Sequence, residues 1–344
     1  MADTRVTPDG PPFDLQRLEA YCANALPGFQ GTLELQQIIG GSSNPTFILT
    51  DRQGLRYVLR KKPPGQLLAT AHQVEREYRV MKALQDSDVP VPRMLALCAD
   101  AEVIGTAFYL MEHVDGRIFR DATLPGSTPG ERGAIYDSAV QALAQLHRVN
   151  HETVGLADFG RAGNFFERQF LRWEKQYRSA QTDDIAEMEE LIALLPSLLP
   201  KDASVSITHG DFRLENIMFH ATEPRVVAVL DWELSTIGHP LSDLGYLCVQ
   251  YHTRSAAFGT LADIDLARAG IPDQNQLVAA YCRKTGRESI DDLSFYIGFA
   301  LFRLASIAQG GEKRRREGVN PRSKPAGAAC VDWARHALRV LQPR

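Results

Sequence analysis

A chain of 344 residues, 44% hydrophobic and 23% charged, has material for about two domains or one domain of two lobes, and is neither a disulfide-stapled miniature scaffold nor a disordered or collagenous segment. Its 38 Lys and Arg against 42 Asp and Glu leave a formal net charge of −4, which gives no overall attraction to a polyanion and sets nucleic acid aside as a partner. The five cysteines (Cys22, Cys98, Cys248, Cys282, Cys330) are odd in number, scattered and never in a C-x-x-C pair, so neither a disulfide framework nor a cysteine-zinc site is expected. The polar start up to Phe13 lacks the apolar stretch of a signal peptide, and no run approaches 18 apolar residues. The expectation is a cytoplasmic protein with no membrane partner.

From Asp14 to Leu26 the apolar residues Leu15, Leu18, Tyr21, Cys22 and Leu26 recur at helical spacing and predict a leading helix, which Pro27-Gly28 stops. β-type runs at Leu33 to Ile39, Thr46 to Thr50 and Leu55 to Arg60, with turn residues at Asp51 to Gly54, predict a three-stranded antiparallel start. The segment Ala71 to Leu84 sets Val74, Tyr78, Met81 and Leu84 among acids and bases, as an amphipathic helix does. Strands at Met94 to Leu97 and Thr106 to Glu112 bring the count to five before Asp115-Gly116 interrupts the run. Beyond it the pattern is helical, over Pro129 to Val149, Phe165 to Ala180, Asp184 to Leu195, Asn275 to Lys284, Ser289 to Gln309 and Ala326 to Leu341. Strand-like Val205 to Thr208, Ile217 to His220 and Val226 to Leu230 break that texture.

Residues 221–225 can join the last two of these strands as a hairpin, which sets Asn216, before its first strand, beside Asp231, after its second. An amide oxygen and a carboxylate so paired are hard ligands suited to Mg²⁺, which keeps room for substrate phosphates. Asp211 lies five residues before Asn216 and leaves one carboxylate for proton chemistry. This is the kinase order: a catalytic-loop Asp as base, then an Asn and a strand-end Asp as metal ligands.

The run His209-Gly210-Asp211-Phe212-Arg213-Leu214-Glu215-Asn216, with Asp231-Trp232-Glu233 after the hairpin, resembles the aminoglycoside phosphotransferase and choline kinase family, relatives of protein kinases. The resemblance extends over nearly the whole chain, through residues 40–46, residues 57–64 and Gly238-His239-Pro240-Leu241-Ser242-Asp243-Leu244-Gly245-Tyr246, to bacterial phosphotransferases similar to the kinase-like N-terminal domain fused to some acyl-CoA dehydrogenases. It implies Asp211 as catalytic base, Arg213 as a γ-phosphate contact, Asn216 and Asp231 as Mg²⁺ ligands, ATP as phosphoryl donor, and Asp243 as a brace for the catalytic loop.

In the first lobe, the turn at Asp51 to Gly54 brings Thr46 near Arg60, so the loop holding Gly40, Gly41, Ser42, Ser43 and Asn44 shares an edge with the end of the third strand, and a nucleotide phosphate could lie between them. By the same resemblance Arg60 stands where kinases carry Lys, with Glu77 as its ion-pair partner. A one-residue slip would present Lys61 instead. The segment Phe108 to Gly116 resembles the hinge at which the family binds adenine through backbone near Glu112 and Val114.

His147 and His151 stand at the i, i+4 spacing of a zinc pair, but no metalloprotease Glu or third ligand accompanies them, and a packed helix His and a loop His are the expected roles. Lys313 to Arg316 with Arg322 and Lys324 read either as a solvated loop or, with Arg303, as recognition of an anionic acceptor. The whole predicts an α+β, bilobal protein-kinase-like fold: a five-stranded antiparallel N-lobe to about Asp115 (residues 1–115), then a mainly helical C-lobe (residues 116–344). The expected activity is transfer of the ATP γ-phosphoryl group to a small-molecule hydroxyl, on an acceptor such as a hydroxy acid or hydroxyacyl-CoA. A nucleotide-binding pseudokinase and an aminoglycoside or amino-alcohol kinase are the alternatives. The oligomeric state is left open.

Overall fold

The computed structural model describes the backbone of residues 3–5 and residues 12–39, 44–63, 73–254, 260–319 and 326–342. Gly40, Gly41, Ser42, Ser43, Arg322 and Lys324 lie outside the described residues. In chain order the first elements are β1 (Asp3–Arg5), α1 (Leu15–Ala25), β2 (Glu34–Ile39), β3 (Thr46–Thr50), β4 (Arg56–Lys61), α2 (Val74–Leu84), β5 (Met94–Cys98), α3 (Ala101–Ile104), β6 (Phe108–Glu112) and β7 (Arg117–Ile118). Then come α4 (Pro129–Arg148), α5 (Phe165–Ala180), α6 (Ala186–Leu194), β8 (Ser206–Thr208), β9 (Ile217–Phe219), β10 (Val226–Val229) and β11 (Thr236–Gly238). The chain continues with α7 (Leu241–Cys248), α8 (Leu266–Ala269), α9 (Gln274–Thr285), α10 (Leu293–Arg316) and α11 (Gly327–Leu341).

The chain packs as two compact units, one running to Ile118 and including Asn216–Ser235, the other formed by Phe119–Glu215 and Thr236–Arg344. The five expected strands form one sheet in the order β2-β3-β4-β6-β5, and β1 adds a short strand at its edge. The first run of the first unit ends at Ile118, three residues past the boundary expected near Asp115, and the unit also takes in the Asn216–Asp231 hairpin, which was expected with the helical half. Its first strand pairs with β7, as Arg117↔Phe219 and Ile118↔Met218, and Val229 donates its N–H to the Pro90 carbonyl at 2.8 Å, so the backbone ladder claims the hairpin for the first unit. Gly116 permits this approach, because a Cβ there would collide with the Phe219 carbonyl and the Met218 side chain.

Alternation along the strands separates the two faces of the large sheet. Phe47, Leu49, Tyr57, Leu59, Phe108 and Leu110 point to one face and pack with Leu18 and Cys22 of α1. α1 begins where the Asp14 carboxylate accepts the Arg17 N–H. The intervening residues Arg60 and Tyr109, directly paired between β4 and β6, face the other way and meet Glu77 of α2. Lys61 goes with the α1 face, over the Phe13 ring at 5.2 Å, so β-sheet register assigns Arg60 and not Lys61 to the α2 face.

The second unit is built on α10, which packs against α5, α7 and α11. By length and composition α10 is apolar enough to cross a membrane, yet its apolar stretch is mostly buried inside this unit, where Phe295, Phe299 and Phe302 meet Phe166 and Phe170. The helix runs seven residues past its expected end at Gln309, carrying Lys313 to Arg316 as its last turn rather than as a loop. Glu312 explains the extension: it accepts from Arg315 and Arg316 one turn on, and four basic residues suit the negative end of the helix dipole. Trp173, Trp232 and Trp333 are buried, with indole N–H groups of the last two bonded to the Val229 carbonyl and Thr253 Oγ1.

Candidate active site

In the first unit the hairpin strands pair Val229↔Ile217, and Leu230 donates its N–H to the Asn216 carbonyl at 2.8 Å, which closes the ladder beside Asp231. Asp231 adopts a left-handed backbone (φ 64°), a conformation that Asp tolerates better than most side chains. Its Oδ1 receives Arg60 Nη2 at 2.7 Å. Arg60 Nε lies 3.0 Å from Glu77 Oε2, a charge contact rather than a well-directed hydrogen bond, and Nη2 is 3.7 Å from Glu233 Oε2. The expected partnership of Arg60 with Glu77 is therefore present, inside a cluster of one guanidinium and three carboxylates.

Glu77 is 1% exposed and held from two further sides, by Asn44 Nδ2 at 2.7 Å and the Tyr109 hydroxyl at 3.0 Å. Burial raises its carboxyl to about 7 even though the Arg60 charge works in the opposite direction, and Asp231 and Glu233 add to the rise. Burial also works against the Arg60 charge, and the acidic groups around it, Tyr109 and Glu77 foremost, more than offset that. The surplus of carboxylate over guanidinium is what a divalent cation would neutralise, and Asn216 and Asp231 supply the oxygen donors that Mg²⁺ favours. The residues present thus fit the metal.

Asn44, expected at the nucleotide loop, donates its side-chain amide to Glu77. At the hinge segment, Glu112 and Arg93 bond reciprocally: Glu112 donates its N–H to the Arg93 carbonyl and accepts the Arg93 N–H on Oε1, both at 2.9 Å. That leaves the backbone beyond β6, including Val114, as the part of the hinge not held in this pairing.

In the second unit β8 delivers the catalytic-loop candidates. Gly210 has φ +82°, which turns its N–H toward Asp243 on α7, and the two amides of His209 and Gly210 bond the Asp243 oxygens at 2.7 and 2.8 Å. His147 of α4 approaches the same carboxylate at 3.3 Å through Nε2 and meets the Tyr281 hydroxyl at 2.8 Å through Nδ1. Burial works to raise the Asp243 carboxyl, but His147 and His209 prevail and hold it below the usual carboxylate range. His147 is thus a packed brace, and among the described residues no group of three or more His, Cys, Asp or Glu has the arrangement of a metal site.

Asp211 donates its N–H to His209 Nδ1 at 3.2 Å and is hydrogen-bonded by Tyr246. Burial and the Asp211 charge hold the Tyr246 phenol above its ordinary value, so it remains a donor to that carboxylate. Arg213, expected to face a phosphate, forms an ion pair with Glu215. Tyr109, Glu233, His147 and Tyr246 went unassigned to the site by sequence reasoning. Glu233 and Tyr246 lie within the runs that carry the resemblance, and the strand position of Tyr109 follows once the β4–β6 register is known.

Three of the four basic residues at the end of α10 are engaged within the protein. Arg315 and Arg316 bond Glu312, Arg316 also bonds Asp183, and Lys313 donates to the Ser179 carbonyl.

Comparison with known proteins places this geometry among relatives. A family model described as the phosphotransferase enzyme family matches residues 34–281. Human acyl-CoA dehydrogenase family member 11 is 46% identical over 315 residues, 90% of this chain and 40% of that protein. Mouse acyl-CoA dehydrogenase family member 10 is 46% identical over 84% of this chain and 27% of its own length. The chain therefore spans two fifths or less of these relatives. A crystal structure from Ralstonia eutropha, assigned as an aminoglycoside phosphotransferase, superposes with a TM-score of 0.88 at 45% identity, covering 96% of this chain and 98% of that one. Choline kinase from Cryptosporidium parvum shares the fold, with a TM-score of 0.68 at 13% identity over 95% of each chain.

Proposed function

The chain belongs to the phosphotransferase enzyme family and is a small-molecule kinase, and on that premise we propose that it uses Mg²⁺ and ATP to phosphorylate a hydroxyl of an anionic acceptor, a hydroxy acid or a hydroxyacyl-CoA. The observation that carries the catalytic part is the bracing of the loop around Asp211 by Asp243, with the Tyr246 hydroxyl on the Asp211 carboxylate. A carboxylate held this way can accept a proton without reorganising. The anionic acceptor is supported by the relatives named as acyl-CoA dehydrogenases and by arginines of the second unit described below.

In this reading the acceptor oxygen forms a bond to the γ-phosphorus, the bond from that phosphorus to the bridging oxygen breaks, ADP leaves, and the hydroxyl proton passes to Asp211. Bound Mg²⁺ supplies neutralisation of charge on the transferring group. Asn216 and Asp231 would hold it. Arg60, fixed by Glu77, would bind nucleotide phosphate, and Arg213 would contact the γ-phosphate on release from Glu215. Backbone near Glu112 and Val114 would take the adenine. The five free, buried thiols suit the reducing cytoplasm in which we place the reaction.

The test is Mg-ATP consumption by wild type and Asp211→Asn against hydroxy acids, hydroxyacyl-CoAs, amino alcohols and aminoglycosides, with products confirmed by mass. Turnover of an anionic class, abolished by the substitution, is expected. Turnover confined to aminoglycosides or amino alcohols would move the acceptor to that class, and nucleotide binding without turnover on any acceptor would make the protein a nucleotide-binding module.

A further inference from the structure

Two arginines of the second unit converge on one indole. The Arg303 guanidinium of α10 lies 5.4 Å from the Trp173 ring centroid, and Arg172 of α5 lies 5.3 Å from it. Among the described residues neither forms an ion pair with any carboxylate, whereas Arg315 and Arg316 of the same α10 are both paired. The Arg303 Nε is buried with no hydrogen-bond partner, which is costly for a cationic donor. Arg172 keeps contact with solvent, yet its pKa is lowered, by burial first and by the positive charge of Arg303 second. Aromatic faces ease the desolvation of each guanidinium but do not cancel the repulsion between them. An oxyanion would cancel it, and Arg presents the forked donors that carboxylate and phosphate accept in pairs.

The place of this pair gives it a use. Arg303 also lies 5.1 Å from the ring centroid of Tyr246, the residue whose hydroxyl is bonded to Asp211. One aromatic ring and one hydrogen bond therefore separate the unpaired guanidinium from the candidate base, a span of roughly 10 Å that one small molecule can bridge. We propose that Arg303 and Arg172, stacked on Trp173, bind the oxyanion of the acceptor and so present its hydroxyl to Asp211. This rests on the phosphotransferase reading and assigns acceptor selectivity to these two residues. Phe170 stacked on Phe302, at 5.9 Å between centroids, locks α5 to α10 within two residues of both arginines, so both guanidiniums are carried by a rigid pair of helices.

Anion binding can be read without turnover. Acetate and inorganic phosphate would be titrated into wild type, Arg303→Gln, Arg303→Lys and Arg172→Gln at constant ionic strength, following tryptophan emission, and the KM for a hydroxy acid and a hydroxyacyl-CoA measured for each protein. The expected result is saturable binding by wild type that Arg303→Gln weakens about 10- to 100-fold, with an equal rise in acceptor KM and an unchanged KM for ATP. Response to acetate together with selectivity for the hydroxy acid would identify a carboxylate as the natural anion. Response to phosphate together with selectivity for the thioester would identify a phosphate of the CoA moiety. Anion binding and acceptor KM that are the same in wild type and Arg303→Gln overturn the proposal. If Arg303→Gln does not fold, Arg303→Lys, which keeps the charge but loses the fork, and Arg172→Gln at the surface carry the same comparison. Arginine-dependent anion binding with no turnover would sink the phosphotransferase reading alone, and turnover indifferent to both arginines would sink this assignment alone.

Discussion

Asp243 accepts the backbone N–H of Gly210 at 2.8 Å, a contact between α7 and the loop that leaves β8. With the His209 amide and His147 on the same carboxylate, the loop bearing Asp211 is tied to two helices by a group that is 1% exposed. A charge so deeply buried is tolerated because it is surrounded by donors, and its removal leaves those donors without partners.

Replacing Asp243 with Ala should accordingly destabilise the protein by about 3 kcal/mol in urea denaturation, with a loss of turnover that exceeds any change in nucleotide affinity. Asp243→Asn, which retains the shape and one acceptor oxygen, should cost less. Equal stability of wild type and Asp243→Ala would remove the bracing role.

Asp231→Ala should weaken nucleotide binding by at least about 10-fold when Mg²⁺ is present and much less when it is chelated. Calorimetric titration with and without the metal separates these cases. A loss of the same size in both would mean that Asp231 acts only through its ion pair with Arg60.

Glu77 supplies a pH signature. Its carboxyl titrates at about 7 in the folded protein and near 4.5 when exposed, so between those values the folded state keeps a proton that the unfolded chain has released. Stability should fall as pH rises through this window, by an amount on the order of 3 kcal/mol from this group. Denaturation midpoints of wild type and Glu77→Gln, compared from pH 4.5 to 7, test it: the slope should be smaller in the variant. Parallel curves would count against the burial argument.

Arg315→Gln and Arg316→Gln should leave the acceptor KM within about twofold of wild type, since their guanidiniums are already engaged with Glu312 and Asp183. A rise in KM comparable to that of Arg303→Gln would return the end of α10 to the substrate site.

Much of this was open to reading from the chain alone, for local reasons. Strand alternation around Thr46 to Arg60, the short loop between Ile217 to His220 and Val226 to Leu230, and the spacing from Asp211 to Asn216 and Asp231 are constraints that neighbouring residues impose on one another. Register then followed wherever one face had to be buried, which is why Thr46 meets Arg60 as expected. Residues far apart in sequence were decided only by tertiary packing. Nothing in the sequence near Arg303 reveals that Trp173 and Tyr246 flank it while Arg316, thirteen residues on, is paired with Asp183. The hairpin joined the first unit because β7 offered its backbone edge, and His147 became a partner of Asp243 because α4 and α7 bring the two together. Sequence periodicity specifies which face of an element is apolar, but the polar partners that buried charges find depend on which elements meet, and that is settled by packing.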